Sequence, residues 1–376
     1  MMRVRILADD LTGAMDAGAC FASSTRGLPV HWRSNPSCTE ESFVITTESR
    51  DIAQRTALTR LRAQVAAVAN ADIAFKKIDS LLRGNTIAEI TECVRSFEFG
   101  SAIIAPAFPA QQRMTRGGQQ FHRSPESPDW APIGPNLVTA LAMLSCKFGP
   151  IPVKHVARIC SPSGKGIFVC DAETNADLLN LAASGRAVDQ PILWCGSAGL
   201  ARALSPQEHR LSPSGPSLLI LTASRNRMAR LQIAEVQRRW PTAVVEATIA
   251  SQGDVVSLAL ENALAKPGIA VLVARYPDMP VPAADRYWKQ LLDTSLACIQ
   301  PPAVLMVVGG TTLRIVLEAV GAETIVVEGE VAHGIAAGRI VGGLWNGISL
   351  ITKAGAFGVP ETLASLIDEA FVGEAA

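Results

Sequence analysis

The sequence has no excess of charge of either sign. Its 376 residues include 34 lysines and arginines and 34 aspartates and glutamates, so the formal net charge at pH 7 is zero. A nucleic-acid-binding protein normally carries a basic face, and this balance provides no global one, so we expect no nucleic-acid partner. A small anionic ligand needs only a local group of cations, which a neutral average still allows.

Long apolar runs and paired cysteines are also absent. The first apolar run, Val4 to Ala8, ends at Asp9 and Asp10, which is typical of neither a signal peptide nor a membrane span. None of the eight cysteines forms a CxxC pair or has zinc-type spacing to a histidine. Single cysteines in apolar segments are typical of a reducing compartment. We therefore predict a cytoplasmic protein with no membrane partner.

Three common catalytic signatures are missing from the sequence. It contains no GxxxxGKS or GxxxxGKT, which excludes a Walker-type P-loop enzyme, and no GxGxxG follows a predicted strand. The segment Gly196-Ser-Ala-Gly199 differs from GxSxG, which argues against a serine hydrolase. A nucleotide site in this chain must therefore use other glycine turns.

The sequence does contain a regular alternation of short apolar runs and longer amphipathic segments. The predicted strands are residues 4–8, 43–47, 73–75, 102–105, 166–170, 192–195, 218–222, 271–274, 304–308 and 348–351. The predicted helices include residues 13–24, 52–69 and 86–97. This alternation is typical of an α/β fold with mostly parallel sheets and flanking helices.

Prolines and glycines divide the chain. A cluster of them at residues 205–217 predicts the boundary between a domain of residues 1–205 and a domain of residues 216–376, each with its own mostly parallel sheet. A second proline-rich stretch, residues 106–135, interrupts the alternation. We expect it to be a long irregular segment, which inside a compact domain is more often functional than idle.

Polar residues follow three predicted strands of the first half. They are Asp9 and Asp10 after the first strand, Lys77, Asp79 and Arg83 after the strand at 73–75, and Arg113 after the strand at 102–105. Open α/β sheets bind ligands at the carboxyl ends of their strands. Lysine and arginine bind carboxylates, and aspartate accepts hydrogen bonds from hydroxyls or takes a proton from one. Each segment alone is equally compatible with a solvated turn, but the three together predict a binding site.

Glycine-rich turns follow three other predicted strands. Their residues are Gly196, Ser197 and Gly199; Gly309, Gly310 and Thr311; and Lys353, Gly355 and Gly358. Glycine lets backbone N–H groups approach a phosphate, and a helix N-terminus adds favourable partial charge. Lys353 would add a point charge. Many α/β proteins have such turns without a phosphate ligand, so a purely structural role is the alternative at each turn.

These segments together resemble the four-carbon acid sugar kinase family, formerly a domain-of-unknown-function family. Residues 8–14 (ADDLTGA) look like its opening motif, residues 76–85 (KKIDSLLRGN) are similar to its KKxDSTLRGN stretch, and residues 106–113 (PAFPAQQR) resemble its APAFPxxGR stretch. Residues 196–201 (GSAGLA), 309–312 (GGTT) and 353–358 (KAGAFG) resemble its later motifs GSAGLA, SGGDT and KSGGFG. Gln112 stands where the family has glycine, and Thr311 where it has aspartate. The match runs nearly end to end.

The resemblance implies an ATP-dependent kinase that phosphorylates a hydroxyl of a small sugar acid, with Mg²⁺ as the usual companion of ATP. The N-terminal domain would bind the acid, the C-terminal domain would bind ATP, and the active site would lie in the cleft between them. Ser224, in the family's GS turn, joins the expected nucleotide-binding residues. A homodimer is also expected. The alternatives are a non-catalytic sugar-acid-binding protein and a lyase or aldolase with Lys77 as its Schiff-base lysine.

Asp10 is the predicted catalytic base, because kinases commonly use an aspartate to take the proton of the attacking hydroxyl. Asp9 would bind or orient the substrate, and Asp79 is the second choice of base. The alternative for Asp10 is a plain N-cap of the helix after it. At least one of Arg83 and Arg113 is expected to pair with the carboxylate of the substrate.

Overall fold

The structure of the protein is a computed structural model that describes residues 2–22, 27–33, 35–36, 40–96, 101–124, 127–146, 153–156, 166–188, 190–205, 210–266, 268–276 and 279–369. The chain divides into two compact units, Met1–Ser23 with Leu28–His209, and Ser24–Gly27 with Arg210–Ala376. The segment predicted as a boundary contains residues 206–209, which lie outside the described residues. No helix in the described part of the chain is long and apolar enough to cross a membrane.

The first unit is built on a parallel sheet. Its strands are β1 (Val4–Ala8), β2 (Leu28–His31), β3 (Phe43–Thr46), β4 (Ile73–Lys77), β5 (Ser101–Ala105), β6 (Arg113–Arg116), β7 (Gln119–Arg123), β8 (Trp130–Ile133), β9 (Val153–Val156), β10 (Gly166–Cys170) and β11 (Ile192–Gly196). The main sheet has the order β2-β3-β1-β4-β11-β5-β10-β9, and its neighbours pair in parallel. Strands β6, β7 and β8 form a separate antiparallel sheet.

Helices cover the parallel sheet of the first unit. They are α1 (Leu11–Phe21), α2 (Gln54–Gln64), α3 (Thr86–Ser96), α4 (Leu137–Cys146), α5 (Asn175–Arg186) and α6 (Ala198–Leu204). Every residue of β4, β5 and β10 is buried, as expected for parallel strands that are covered on both faces. One core joins Leu7 of β1 and Ile104 of β5 with Leu61 of α2 and Ile90 of α3.

The second unit has a mixed sheet. Its strands are β12 (Leu218–Thr222), β13 (Val244–Ala247), β14 (Ile269–Ala274), β15 (Val304–Val308), β16 (Thr324–Ala332), β17 (Ile335–Val341) and β18 (Ser349–Lys353), in the order β13-β14-β12-β15-β18-β17-β16. The pairs from β13 to β18 are parallel, and β18, β17 and β16 pair in antiparallel. The helices are α7 (Arg227–Arg239), α8 (Gly253–Ala265), α9 (Val281–Cys298), α10 (Gly310–Ala319) and α11 (Thr362–Ile367).

The predicted α/β class with mostly parallel sheets is confirmed, and several details of the prediction were wrong. The stretch at residues 106–135, expected to be irregular, contains β6, β7 and β8. The β16–β17 hairpin was not predicted. The predicted helix 52–69 is α2 followed by a short 3₁₀ helix at Val65–Val68. The predicted helices 13–24 and 86–97 end at Phe21 and Ser96, and residues 24 and 97 lie outside the described residues.

A buried ion pair joins β4 to α3. Lys76 Nζ lies 2.7 Å from Glu89 Oε2, and both side chains are 1% exposed. Glu89 Oε1 accepts a hydrogen bond from Ser49 Oγ at 2.5 Å. Burial works to lower the pKa of Lys76, but Glu89 raises it above its ordinary value. The charge on each partner is therefore tolerated inside the core because the other is present.

Removing one partner of this pair should be costly. Lys76→Met leaves the Glu89 carboxylate buried without its cation, so we expect the free energy of unfolding to fall by about 3–5 kcal/mol. The double variant Lys76→Met with Glu89→Leu removes both charges and should recover most of that loss. Urea unfolding followed by circular dichroism measures both changes.

The matched control is an exposed ion pair of the same helix, α3. Arg62 pairs with Glu92 of α3 at 2.7 Å, but the arginine side chain is 54% exposed. Arg62→Met should therefore lower the unfolding free energy far less than Lys76→Met does, because solvent screens an exposed pair. If Lys76→Met is as stable as this control, the pair does not have the role assigned to it.

Candidate functional site

The sheet order of the first unit brings the predicted acid-binding residues to one edge. Asp9 and Asp10 directly follow β1, Lys77 is the last residue of β4, and Asp79 lies two residues beyond it. Strands β1 and β4 are parallel neighbours, so the residues after them meet at the carboxyl edge of the sheet. Asp9, Lys77 and Asp79 are all buried. Buried charges require partners, and the contacts of this edge supply them.

Arg50 is the partner of two consecutive carboxylates. Its Nε and Nη2 donate to Asp9 Oδ2 and Oδ1, both at 2.8 Å, and its Nη1 lies 2.6 Å from Asp10 Oδ2. Burial alone would lower the pKa of Arg50, but Asp10 and Asp9 raise it well above its ordinary value. We call Asp9, Asp10 and Arg50 the Arg50 cluster. Arg50 was not among the predicted site residues, although it lies beyond the end of β3 as Asp10 lies beyond the end of β1.

The two carboxylates of the Arg50 cluster differ in their surroundings. Burial works to raise the pKa of Asp9, but Arg50, Lys76 and Lys77 bring it below its ordinary value. The pKa of Asp10 is raised, first by burial and then by the charge of Asp9, in spite of Arg50. The side chain of Asp10 is 17% exposed, against 5% for Asp9. Asp10 is therefore the more accessible and the more basic of the two carboxylates.

Asp10 also begins helix α1. Its Oδ1 accepts the backbone N–H of Gly13 at 2.9 Å, which makes it the N-cap of the helix. The N-cap role that the sequence offered as the alternative for Asp10 is therefore also filled by this residue. A Cβ at residue 13 would lie 2.5 Å from Asp10 Oδ1 and 3.0 Å from Lys77 Nζ. Only glycine at this position leaves both groups where they are.

Asp79 is occupied by Arg83. The Nε and Nη2 of Arg83 donate to Asp79 Oδ2 at 2.6 Å and Oδ1 at 2.9 Å, and the backbone N–H of Arg83 donates to Oδ2 at 3.1 Å. Burial opposes ionisation of Asp79, yet Arg83 and Arg50 hold its pKa well below its ordinary value. Such a carboxylate is a poor proton acceptor. The guanidinium of Arg83, about half exposed, already uses its fork on Asp79.

Arg113 is a buried cation at the start of β6. Its side chain Nη1 donates to the carbonyl of Gln111, and the residue is 4% exposed. Burial lowers its pKa to about 10, and Asp79 is the carboxylate whose charge acts on it. The residue before it, Gln112, has φ 59°, in the left-handed region that glycine enters without strain. The glycine that the family motif has at this position would adopt the same conformation without strain.

The β6–β8 sheet is attached to the ends of β4 and β5. The side-chain amide of Gln120 donates to the carbonyls of Ser80 at 2.9 Å and Pro106 at 3.4 Å. Its carbonyl accepts from Thr115 Oγ1 at 2.6 Å, so three of its hydrogen bonds are made inside the protein. Gln120 is fully buried. This sheet therefore covers the edge of the main sheet where Asp79 lies.

The first glycine turn predicted for the nucleotide lies in the first unit. Ser197 is the N-cap of α6, and its hydroxyl donates to the carbonyl of Ala107 at 2.6 Å. A Cβ at Gly196 would lie 2.6 Å from Leu200, and one at Gly199 would lie 2.8 Å from the Ala107 carbonyl. Close packing against neighbouring backbone and side chains thus accounts for both glycines. This turn belongs to the first unit, and the other two predicted glycine turns belong to the second.

Three turns of the second unit do come together. They lie beyond β12, β15 and β18, which run side by side in parallel. Gly309 has φ 107°, and a Cβ there would lie 3.7 Å from Ser224; a Cβ at Gly355 would lie 2.5 Å from Ser224 Oγ. Gly310 and Thr311 form the first turn of α10, whose N-terminus has no side-chain cap among the described residues. This cradle has the N–H groups and the small residues that suit a phosphate.

Lys353 and Gly358 belong to the segment after β18 and have different roles there. Lys353 is fully buried at the end of β18, and its Nζ donates to the carbonyl of Ala354 at 2.9 Å. Burial lowers its pKa to about 7, and no carboxylate within the described residues offsets that effect. An anionic ligand would supply the missing countercharge. Gly358 has φ 85°, and a Cβ there would lie 2.4 Å from Thr362 Oγ1, so its own turn requires glycine.

The described residues offer no ready-made metal cage. Within the ranges given above, no three or more His, Cys, Asp or Glu side chains are grouped so that they could hold an ion. Each of Asp9, Asp10 and Asp79 has an arginine partner. Mg²⁺ commonly keeps several waters and binds through one or two carboxylates and the phosphates of a substrate. A Mg²⁺ ion that accompanies ATP would in that case be held chiefly by the nucleotide phosphates.

Comparison with known families matches both halves of the chain. A family described as a sugar-binding N-terminal domain matches residues 4–133 and 135–204, and one described as a nucleotide-binding C-terminal domain matches residues 219–363. These matches define the class of the protein: a sugar-binding domain followed by a nucleotide-binding domain. The Arg50 cluster lies in the first domain, and the cradle around Ser224 lies in the second.

Relatives of known activity span nearly the whole chain. D-threonate kinase of Cupriavidus necator is 31% identical, over 94% of each chain. D-threonate kinase of Bordetella bronchiseptica is 28% identical, over 96% of this chain and 95% of the relative. D-erythronate kinase of Heliobacterium modesticaldum is 25% identical, over 98% and 97%. The chain belongs to the four-carbon acid sugar kinase family, as its motifs indicated.

Solved structures support the fold. A crystal structure from Salmonella typhimurium has a TM-score of 0.71 and 16% identity, and the match covers 97% of this chain and 98% of that one. A crystal structure of a Haemophilus influenzae protein has a TM-score of 0.65 at the same identity, over 96% and 99%. The arrangement of strands and helices is thus shared with these structures although few residues are identical.

The Arg50 cluster should contribute to the acid stability of the first unit. Arg50→Met leaves Asp9 and Asp10 buried without their cation, so we expect a loss of about 3–5 kcal/mol in unfolding free energy at pH 7. The folded pKa of Asp9 is lowered, so its contribution is present above the unfolded value of 3.8 and disappears as the pH falls through the folded value. The variant lacks that contribution, so the stability difference should begin to shrink below about pH 4 and continue to shrink as the pH falls toward the folded pKa of Asp9.

Thermal and urea unfolding between pH 3 and pH 8 would measure this convergence. The control is Arg3→Met, which removes an ion pair to Asp72 with both side chains nearly half exposed. It should cost less than about 1 kcal/mol at any pH. A stability difference for Arg50→Met that stays constant from pH 8 to pH 3 would contradict the assigned role.

Proposed function

We propose that the protein is an ATP-dependent kinase that phosphorylates a hydroxyl of a four-carbon sugar acid. The observation that carries the proposal is the group of charged residues at one sheet edge of a sugar-binding domain, where Asp10, a carboxylate of raised pKa, lies beside the cations of Arg50 and Lys77. Membership of the family and the D-threonate and D-erythronate kinase relatives support the same activity. The homodimer, the cytoplasmic location and the shared cleft stay predictions.

Arg113 is the cation that we assign to the substrate carboxylate. Arg83 already forms a bidentate pair with Asp79, and Arg50 is shared between Asp9 and Asp10. Burial makes the charge of Arg113 costly, since its pKa is lowered to about 10. A bound carboxylate would relieve that cost through a charge-assisted hydrogen bond. Lys77 would then face the hydroxyl end of the acid, next to Asp10.

Asp10 is the residue that we assign to the hydroxyl proton. In the transfer, the hydroxyl oxygen bonds to the γ-phosphorus of ATP, the bond from that phosphorus to the oxygen it shares with the β-phosphate breaks, and the proton passes to Asp10. A raised pKa favours acceptance of that proton. Asp79 is the weaker choice because Arg83 keeps its pKa low. Asp9 remains ionised and holds Arg50 in place.

The cradle of the second domain is the site that we assign to the phosphates of ATP. Gly309, Gly310 and Thr311 would present backbone N–H groups at the start of α10, and Ser224 and Gly355 would line the opposite turns. Lys353 would place its ammonium against the phosphates. Gly196 and Gly199 pack closely against their neighbours in the first domain, and a contribution of Gly196, Ser197 and Gly199 to ATP binding stays a prediction.

The proposal is tested by ADP release over a panel of four-carbon sugar acids, including D-threonate and D-erythronate. We expect at least one acid to give turnover with the wild-type protein. Asp10→Asn keeps the size of the side chain and a capping oxygen but removes the base, so kcat should fall by about 10²- to 10⁴-fold. Its melting temperature and its affinity for ATP should change little.

The outcomes separate the alternatives. Binding of a sugar acid without turnover in the wild-type protein would favour a non-catalytic sugar-acid-binding protein. Near wild-type turnover by Asp10→Asn would remove Asp10 from the role of base and leave Asp79→Asn as the next variant. Trapping of a substrate on Lys77 by borohydride would favour a lyase or aldolase.

The assignment of Lys353 predicts that ATP binding takes up a proton. Burial lowers the pKa of Lys353 to about 7, and bound phosphates would raise it. Affinity for ATP should therefore fall as the pH rises above about 7, and calorimetry in buffers of different ionisation enthalpy should show the uptake. Lys353→Met should weaken ATP binding about 10- to 100-fold and abolish the uptake.

The same residue gives a second stability test, in which the unfolding free energy again rises with pH but in a higher pH window than that of Asp9. The unfolded chain holds the Lys353 proton up to about pH 10.5, while the folded protein releases it near pH 7. The unfolded state binds more protons in that window, so the lysine makes unfolding free energy rise with pH there. Lys353→Met removes this rise, while Lys289→Met, at an exposed pair with Asp293, should keep it. A wild-type profile that is flat from pH 7 to 10 would contradict the assignment.

A further inference from the structure

The β6–β7 hairpin places a histidine directly opposite Arg113. In the register of the two antiparallel strands, Arg113 pairs with His122 and Thr115 pairs with Gln120. Residues opposite one another across two strands share a face, and their Cβ atoms lie about 4.5–5.5 Å apart. Arg113, Thr115, Gln120 and His122 are therefore on one face of the β6–β8 sheet.

That face is turned toward the ends of β4 and β5. Gln120 fixes the direction, because its amide donates to the carbonyls of Ser80 and Pro106, which lie just beyond those two strands. Arg113, on the same face, is buried and lies within the influence of the charges of Asp79 and Arg83. His122 is thus on the side of the hairpin that covers the candidate acid-binding site.

His122 differs from other histidines of this domain in its contacts. His31 lies 2.6 Å from Glu40, and His155 lies 3.0 Å from Asp171. The imidazole of His122 makes no hydrogen bond to any other residue in the part of the chain that the structure describes, and it is only partly exposed. Burial and the charge of Arg113 lower its pKa, so the imidazole is neutral near pH 7. A neutral imidazole donates one hydrogen bond and accepts another.

These properties suit a hydroxyl better than a second carboxylate. A carboxylate accepts hydrogen bonds only, and the one carboxylate of the substrate is already assigned to Arg113. A hydroxyl both donates and accepts, as a neutral imidazole does. The hydroxyl nearest to a carboxylate held by Arg113 is the one on the adjacent carbon. The cross-strand pair thus matches the two neighbouring groups of a 2-hydroxy acid.

We propose that His122 binds the 2-hydroxyl of the sugar acid while Arg113, opposite it on the hairpin, binds the carboxylate. This inference rests on the proposed function and names the group of the substrate that the hairpin recognises. His122 is then a specificity residue that distinguishes 2-hydroxy acids from 2-deoxy acids. It takes no part in proton transfer, which is assigned to Asp10.

The test combines a change in the protein with a change in the ligand. Binding of D-threonate and of its 2-deoxy analogue, 3,4-dihydroxybutanoate, is measured by calorimetry without ATP. A hydroxyl that pairs with His122 should make the wild-type protein prefer D-threonate by about 5- to 50-fold. His122→Phe removes both the donor and the acceptor, so the ratio should fall to about one. His122→Asn keeps an amide donor and acceptor and should restore part of the preference.

Phe121→Leu is the matched control. Phe121 is adjacent to His122 in β7, and alternation directs it to the opposite face, so its change perturbs the same strand without altering the proposed contact. This variant should keep the wild-type ratio.

A preference for D-threonate that persists in His122→Phe, or is absent from the wild-type protein, would overturn the inference while leaving the proposed function intact. Failure of the wild-type protein to bind any four-carbon acid would overturn both. Loss of the ratio in Phe121→Leu as well would assign the effect to the strand as a whole and overturn the inference.

Discussion

One guanidinium between two consecutive carboxylates is the interaction on which the first domain's site depends. Asp9 and Asp10 come directly after a buried strand, where two uncompensated negative charges would be very costly. Arg50 offers three N–H groups to them, at 2.6 to 2.8 Å. The division is uneven, because Asp9 takes the bidentate fork and Asp10 a single contact. Burial and the charge of Asp9 raise the pKa of Asp10, whereas Arg50, Lys76 and Lys77 lower that of Asp9 against the effect of burial, so two consecutive aspartates are chemically distinct.

The strand ends were predictable from the sequence, but the pairing among the residues there was not. Alternating apolar runs locate β1, β4 and β5, and parallel strands bring their carboxyl-terminal loops to one edge. Nothing in the spacing of Asp79 and Arg83 says that they bind each other rather than a ligand. Arg50 was missed for a related reason: it lies in the loop after β3, and only its three-dimensional contacts distinguish it from a solvated turn. Side-chain partners are chosen by tertiary geometry, which periodicity does not encode.

The β6–β8 sheet was missed because its prolines and glycines obscured short strands. Pro132 lies within β8, and Gly117 and Gly118 form the turn between β6 and β7. The glycine motifs show the same limit of sequence analysis. Gly199 serves packing against the Ala107 carbonyl, whereas Gly355 makes room beside Ser224 in the cradle. The residue type is the same in both motifs, and only the neighbours of each glycine separate a structural turn from a candidate phosphate site.

The strand order of the first domain also bears on how the protein folds. Arg50 is 41 positions from Asp9, and β11 inserts between β4 and β5 although it is the last strand of the domain to be synthesised. Pairings between distant segments form slowly, because the entropy of closing the loop is lost before the stabilising contacts form. Until β3 and β1 are aligned, both carboxylates keep their hydration shells and impose no penalty. Dehydration of the charged edge therefore requires β1 and β3 to be paired, which makes the Arg50 contacts part of the long-range contacts of the fold.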